Sequence, residues 1–225
     1  MRRGLFFAAV AVCAGLFAYT QYLIFYGTPL DRALYFNQKI FYYHVPCAFM
    51  LFLSVIVCGV SSLMYLKRRE GKWDDLAEAA GELAVVFGLI VLVTGSIWGK
   101  AAWGKWWQWD ARLTTSLLLW MVMVGYVLVR KYGGPGSERL AAGLAVFGLA
   151  DVPLIYFSVR IWRTLHPKTS VVSELQGGMR GAFWLGVLLF LSLFYVMLTV
   201  RTRAAAVNRR VRELHENGLD AGVFE

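Results

Sequence analysis

The chain has 225 residues, of which 59% are hydrophobic and 16% are charged, and its formal net charge is +9. A water-soluble domain carries about a quarter charged residues, so this composition excludes a compact soluble fold and requires lipid to cover much of the apolar surface. The basic residues lie between long apolar runs, at the ends of predicted helices, which is typical of lipid-headgroup contacts and not of nucleic-acid binding.

Six apolar stretches approach the length of about 20 residues that an α-helix needs to cross a bilayer. They cover residues 5–26, 44–66, 79–98, 113–129, 140–161 and 182–200. This pattern predicts an all-α, polytopic integral membrane protein with a six-span membrane domain over residues 1–200 and a basic tail over residues 201–225. The first stretch is longer than an ordinary signal-peptide core, so we expect it to be a retained span.

Lys and Arg are more frequent in the segments that share a side with the N-terminus, which places both termini in the cytoplasm. The basic tail is then a cytoplasmic helix, either solvated or lying among headgroups. The three cysteines, Cys13, Cys47 and Cys58, sit inside apolar stretches and form no Cys-x-x-Cys motif, so we expect them to pack as small apolar side chains.

A cluster of tryptophans occupies the second external connection, in the segment of about residues 98–112. Its members are Trp98, Trp103, Trp106, Trp107 and Trp109. An interfacial aromatic belt is one interpretation, but a belt distributes its indoles over both interfaces and several helices. If residues 103–110 are helical, Trp103, Trp106, Trp107 and Asp110 share one face. That face would be a flat, polarizable surface on which a planar macrocycle can stack.

Two polar residues border this surface. Asp110 precedes the fourth span and is predicted either to cap it or to hold the fold of the tryptophan segment. Arg112 can neutralise Asp110 or meet a ligand carboxylate with its fork of donors. Other external cations, including Arg32, Lys39, Arg163 and Lys168, are expected to contact headgroups for the most part.

The chain has three histidines, and two of them lie on the external side in the six-span topology. His44 is at the outer end of the second span, and His166 follows the fifth span. His215 lies in the basic tail, where we expect it to be solvated. Imidazole is a common axial ligand of haem iron, so His44 and His166 are predicted to ligate haem on either side of the tryptophan segment.

The segment Trp103-Gly104-Lys105-Trp106-Trp107-Gln108-Trp109-Asp110 resembles the tryptophan-rich "WWD" signature of haem-handling proteins in cytochrome c biogenesis. The flanking residues 94–100 and 111–114 are also similar to that family. Length and histidine count favour its small six-span branch, the haem exporter protein C family, over the two larger relatives. The sequence departs from the family at Asp151, where asparagine is usual, and at Pro167, where glutamine is commoner.

The resemblance implies noncovalently bound haem b with His44 and His166 as its iron ligands, in the bacterial inner membrane. It also implies transfer of haem to a membrane-anchored haem chaperone, and association with the subunits of an ATP-binding cassette transporter and a small single-span subunit. This is a binding and transfer role more than an enzymatic one, although assistance to covalent haem attachment on the chaperone stays open. The chain has no Walker motif, so nucleotide chemistry would belong to a partner.

Two other functions compete with this interpretation. An intramembrane b-type cytochrome for electron transfer would need histidine pairs inside the spans. A proton-coupled transporter would use Asp151, which lies mid-span before Val152-Pro153, where an ionisable group is a functional candidate. We expect Asp151 to have a packing or hydrogen-bonding role instead.

Overall fold

A computed structural model describes residues 3–134, 136–167, 172–175 and 177–220. In these ranges the regular structure consists of helices. The six long helices are α1 (Arg3–Tyr22), α2 (Phe41–Arg68), α3 (Gly71–Trp103), α4 (Ala111–Tyr132), α5 (Ser137–Ile161) and α6 (Gly177–Asp220). Each one, α1 taken with the π-helical turn that follows it, is long and apolar enough to cross a membrane. The predicted all-α, six-span architecture is therefore confirmed.

Several helices extend well beyond the predicted spans. Helix α3 begins at Gly71 rather than near residue 79, because the polar residues of its first turns continue the helix outside the apolar stretch. Helix α2 runs to Arg68, so only Arg69 and Glu70 separate α2 from α3. Hydropathy identifies the part of a helix that lies in lipid, whereas the helix itself continues for as long as its backbone hydrogen bonds do.

Helices α2, α3, α4 and α5 pack together around a common core. Helix α2 packs along α3 and α5, α4 packs against α5 and α3, and α6 packs against α3, α1 and α2. Cys47, Val55, Cys58, Leu119 and Met123 are completely buried in this core. The three cysteines are free and buried, as expected for small apolar side chains.

Ion pairs clamp the helices together at the end of the bundle that carries the α2–α3 connection. Asp74 and Asp75, in the first turns of α3, pair with Arg130 of α4 and Arg209 of α6 respectively. The Arg130 Nη1 atom lies 2.6 Å from the Asp74 Oδ1 atom, and both side chains are buried. This clamp fixes α4 and α6 against α3 at the end of the bundle opposite the three long connections.

Helix α6 continues without a break through residues 201–220 of the predicted tail. An unbroken helix that crosses the bilayer carries its extension away from the membrane, so of the two placements predicted for the tail we expect the solvated one. Residues 221–225 of the tail, like Lys168, lie outside the described residues.

Candidate haem site

The described parts of the α1–α2, α3–α4 and α5–α6 connections lie on one side of the six-helix bundle, and His44 and His166 are both found there. His44 lies in the first turn of α2. Its Nδ1 atom is 3.0 Å from the Thr94 hydroxyl oxygen of α3. That hydroxyl donates its single proton to the Ile90 carbonyl oxygen at 2.6 Å, so it accepts from His44. His44 therefore carries its proton on Nδ1 and leaves the lone pair of Nε2 available.

Two glycines of α3 make room for this arrangement. A Cβ atom on Gly95 would lie 3.0 Å from Cε1 of the His44 ring, and a Cβ atom on Gly99 would lie 3.2 Å from the Trp103 ring. The Lys100 ammonium donates to the Gly104 carbonyl oxygen at 3.0 Å and closes the end of α3. Gly95 and Gly99 thus leave space for the His44 imidazole and the Trp103 indole.

We expect Gly95→Ala to weaken haem binding about threefold to tenfold, because the new methyl group must displace the His44 ring. Haem titration of the purified variant measures this effect. Gly125→Ala is the matched control, since a Cβ atom there meets nothing within 4 Å. Equal haem affinity in the two variants would contradict the role assigned to Gly95.

His166 lies in the α5–α6 connection, five residues after α5 ends at Ile161. Its Nδ1 atom is 2.9 Å from the Pro167 carbonyl oxygen, which can only accept, so the proton is again on Nδ1 and Nε2 keeps its lone pair. Burial, and then the nearby Arg112 guanidinium, lower the pKa of His166 to about 4. The ring is therefore neutral at physiological pH, as an iron ligand must be.

Asp110 joins the tryptophan segment to the connection that carries His166. Its Oδ1 atom accepts from the Leu113 N–H at 2.8 Å, which caps α4 as predicted. Its Oδ2 atom accepts from the Thr164 hydroxyl and from the Leu165 N–H, the latter at 3.2 Å. The Thr164 hydroxyl oxygen in turn accepts from the backbone N–H of His166 at 3.1 Å. Asp110 thus caps α4, and its second oxygen ties the end of the tryptophan segment to the α5–α6 connection.

The condition on which the shared tryptophan face depended, a helix over residues 103–110, is not met. Helix α3 ends at Trp103, and Gly104 adopts a left-handed conformation at φ +74°, which stops the helix and favours glycine. The residues from Lys105 to the cap residue Asp110 are irregular. Trp103, Trp106, Trp107 and Asp110 therefore do not share a helical face, and the periodicity on which that face was based does not apply.

The indoles divide into a packed group and an exposed group. Trp103 packs edge to face on Trp98, with ring centroids 5.2 Å apart, and belongs to the end of α3. Trp106 and Trp109 are 59% and 75% exposed. Trp107 is half-buried and supports Trp109, at a centroid distance of 5.7 Å. The indoles most open to a ligand are thus Trp106 and Trp109, whereas Trp103 and Trp107 are partly covered by neighbouring side chains.

Arg112 lies near both histidines, since its charge acts on both His44 and His166. It donates to the Ile155 carbonyl oxygen of α5 at 3.0 Å. Of the two roles considered for Arg112, the ion pair with Asp110 is not present among the described residues. Lys39, another external cation, is buried and donates to the Thr28 and Pro29 carbonyl oxygens, so it holds the α1–α2 connection and does not contact headgroups.

These donors suit a haem better than a bare metal ion. Within the described residues no three His, Cys, Asp or Glu side chains come together as a metal site. A protein-held transition metal needs three or four such ligands, whereas a haem brings four nitrogens of its own and needs one or two axial ligands. Two neutral imidazoles with free Nε2 atoms match the second requirement.

Comparison with known proteins supplies the family. The profile described as "Heme exporter protein C" matches residues 2–217. The chain belongs to the haem exporter protein C family. It is 34% identical over 212 residues to "Heme exporter protein C" of Paracoccus denitrificans, covering 90% of this chain and 88% of that protein. It is 36% identical over 183 residues to the protein of the same name from Bradyrhizobium diazoefficiens, covering 78% and 69%.

A plant protein is also similar. The "Putative cytochrome c biosynthesis ccmC-like mitochondrial protein" of Marchantia polymorpha is 35% identical over 162 residues, which cover 72% of this chain and 69% of that protein. The resemblance to the haem exporter protein C family that the tryptophan motif indicated is therefore confirmed over nearly the whole chain.

In this member of the haem exporter protein C family, sequence reasoning missed three residues that hold the histidines. Thr94 fixes the His44 tautomer, Gly95 admits its ring, and Thr164 connects His166 to Asp110. Thr94 and Gly95 lie in a segment that resembles the family. That resemblance indicated that the segment is functional, but it did not indicate what either residue does. Nothing in the sequence near Thr164 distinguishes its hydroxyl from that of any other loop threonine.

Proposed function

We propose that this chain binds haem b through His44 and His166, presents it beside the tryptophan segment, and passes it to a membrane-anchored haem chaperone during cytochrome c maturation. The observation that carries the proposal is the matching state of the two imidazoles. Both donate from Nδ1 to an oxygen and both leave Nε2 unprotonated, on the side of the bundle that carries the exposed indoles.

The chemistry of each part fits haem as a cargo. A bound haem iron would take its two axial bonds from Nε2 of His44 and Nε2 of His166. Trp106 and Trp109 are exposed, so the outer part of the macrocycle face can stack on their indole rings. Arg112, whose charge acts on both histidines, is the cation that we assign to a haem propionate.

The two predicted iron ligands are anchored by different kinds of structure. His44 is held by a rigid helix through Thr94, whereas His166 is held by a loop through Thr164 and Asp110. A ligand on a loop can leave the iron at lower cost than a ligand on a helix, because fewer packed contacts must break. We infer that His166 is the ligand that yields when haem passes to the chaperone.

The orientation and partners follow from the same proposal. With both termini in the cytoplasm, the histidines and tryptophans lie on the outer face of the bacterial inner membrane, where cytochromes c are assembled. The ATP-binding cassette subunits and the small single-span subunit would then associate with the spans and the cytoplasmic end. In this arrangement the chain is a binding and transfer protein, with nucleotide hydrolysis left to the cassette.

An absorption spectrum of the detergent-purified protein with added haem tests the proposal. We expect about one haem per chain, six-coordinate and with two nitrogen axial ligands. A five-coordinate spectrum, or haem that gel filtration removes from the protein, would contradict the bis-histidine site.

Asp151 supports a second candidate function, proton-coupled transport. Its side chain is only 7% exposed, and its Oδ2 atom has no hydrogen-bond partner among the residues that the structure describes. We expect Asp151→Asn to leave cytochrome c maturation within about twofold of the parent, because an amide has the same shape and no charge to bury. The measurement is the yield of holo-cytochrome c in cells that express the variant. A loss of about tenfold or more would favour the transporter.

A further inference from the structure

The part of α6 beyond the membrane carries an apolar stripe that no described part of the chain covers. Val207, Val211 and Leu214 are 58%, 58% and 70% exposed. Val200, Ala204 and Gly218 extend the stripe at alternating spacings of four and three residues. This is the spacing of the a and d positions of a coiled coil, at which apolar residues meet those of a partner helix.

The opposite face of the same helix is already used. Ala205 is buried there, and Arg209 pairs with Asp75 of α3 at 2.9 Å. Gly71 admits the Arg209 guanidinium, since a Cβ atom on Gly71 would lie 2.6 Å from it. Arg209 and Val211 are about 200° apart around the helix axis, so the docked face turns the stripe away from the bundle.

The bilayer does not cover the stripe. Basic residues begin at Arg201, which marks the end of the apolar span, and α6 continues without a break to Asp220. At about 1.5 Å per residue, Leu214 lies roughly 20 Å along the helix beyond Val200. A helix would have to bend sharply after Val200 to bring the stripe into the headgroup region, and it does not.

With lipid excluded, the charges beside the stripe decide between two partners, a second copy of this chain and a helix of another protein. Arg203 and Arg210 are exposed and occupy the positions beside the stripe that face a partner helix. In an antiparallel pair of identical chains these arginines would face each other. In a parallel pair they would face Asn208 and His215, which offer no carboxylate. A second copy is therefore disfavoured, whereas a helix with acidic flanking residues would form ion pairs with both arginines.

We propose that the α6 extension is a docking site for an amphipathic, acidic helix of another protein, on the side of the membrane opposite the candidate haem site. The partner helix lays its apolar seam on Val207, Val211 and Leu214 and its carboxylates on Arg203 and Arg210. Because the Asp75–Arg209 ion pair fixes the extension to α3, a docked partner helix is held in a fixed position relative to the bundle.

Maleimide labelling of a Val211→Cys chain in lipid nanodiscs tests the site, because the native cysteines are buried. The probe is a synthetic helix of about three heptads with leucine and isoleucine in its seam and glutamate at its flanks. We expect it to slow labelling about fivefold or more, and a matched lysine-flanked peptide to have no effect. Combined Arg203→Glu and Arg210→Glu substitutions should reverse this preference. Glu216→Cys, on the opposite face, is the control and should label at an unchanged rate.

Three outcomes would overturn the proposal. Equal protection by the acidic and basic peptides, or by neither, would remove the charge argument. Slow labelling in nanodiscs without any peptide would assign the stripe to lipid or to a second copy, and light scattering of the nanodiscs separates these two. Rapid labelling in native membranes that contain the complete maturation system would leave the stripe without a partner. The haem spectrum of the same chains reports separately on the haem site.

Discussion

His44→Ala and His166→Ala are each expected to lower the haem content of the purified protein by about tenfold or more, because each removes one of the two axial bonds to iron. The two losses should differ in kind. Without His166, haem held by the helix-borne His44 should be five-coordinate. Without His44, the loop-borne His166 should retain almost no haem. Absorption spectra and haem quantification after detergent purification measure both effects.

His215→Ala is the matched control, since it removes the remaining histidine from the far end of α6 and should leave the haem content and spectrum unchanged. Added imidazole provides a second control. It should restore a six-coordinate spectrum in His166→Ala, where the vacated position lies beside the exposed indoles. Parental haem content and spectrum in both histidine variants would refute the ligand assignment.

The spans and the side on which each connection lies were predictable from hydropathy and connection order alone. Apolar runs such as residues 140–161 correspond closely to the membrane part of a helix, because lipid imposes one simple requirement on every residue within it. The positions of His44 and His166 on one side followed directly, since alternate connections of an antiparallel bundle share a side.

The conformation of the tryptophan segment was not predictable in the same way. A period of 3.6 residues places Trp103, Trp106 and Trp107 together only if the helix continues, and Gly104 ends it. Glycine both occurs inside membrane helices and terminates helices, so its presence did not decide between these outcomes. The family signature indicated that these residues act together without indicating their backbone conformation.

Contacts between distant segments were the least accessible to sequence reasoning. Thr94 reaches His44 across 50 residues, and Thr164 reaches Asp110 across 54 residues. Hydroxyl residues in a membrane helix commonly bond to their own backbone, as Thr94 also does with Ile90. Only the packing of α2 on α3, which depends on the small residue Gly95, brings the imidazole to that hydroxyl.

Asp110→Asn is expected to remove His166 from the iron while leaving the bundle intact. Asparagine caps a helix as well as aspartate does, so the bond from the Leu113 N–H to Oδ1 can survive. The amide NH2 group then replaces Oδ2, and it cannot accept from the Thr164 hydroxyl or the Leu165 N–H. Hydrogen bonds to a charged group contribute about 1.5–3 kcal/mol each, so the His166 connection should lose most of its anchoring.

The measurements that separate positioning from folding are the haem spectrum and thermal unfolding of the same sample. For Asp110→Asn we expect the five-coordinate spectrum of His166→Ala together with an unfolding temperature close to that of the parent. Asp110→Ala should lose the same ligand and, in addition, about 1 kcal/mol of helix capping. Thr164→Val, which removes the hydroxyl between Asp110 and His166 and keeps the shape, should weaken haem binding by a smaller factor. A six-coordinate spectrum in Asp110→Asn would mean that His166 holds its place without the carboxylate.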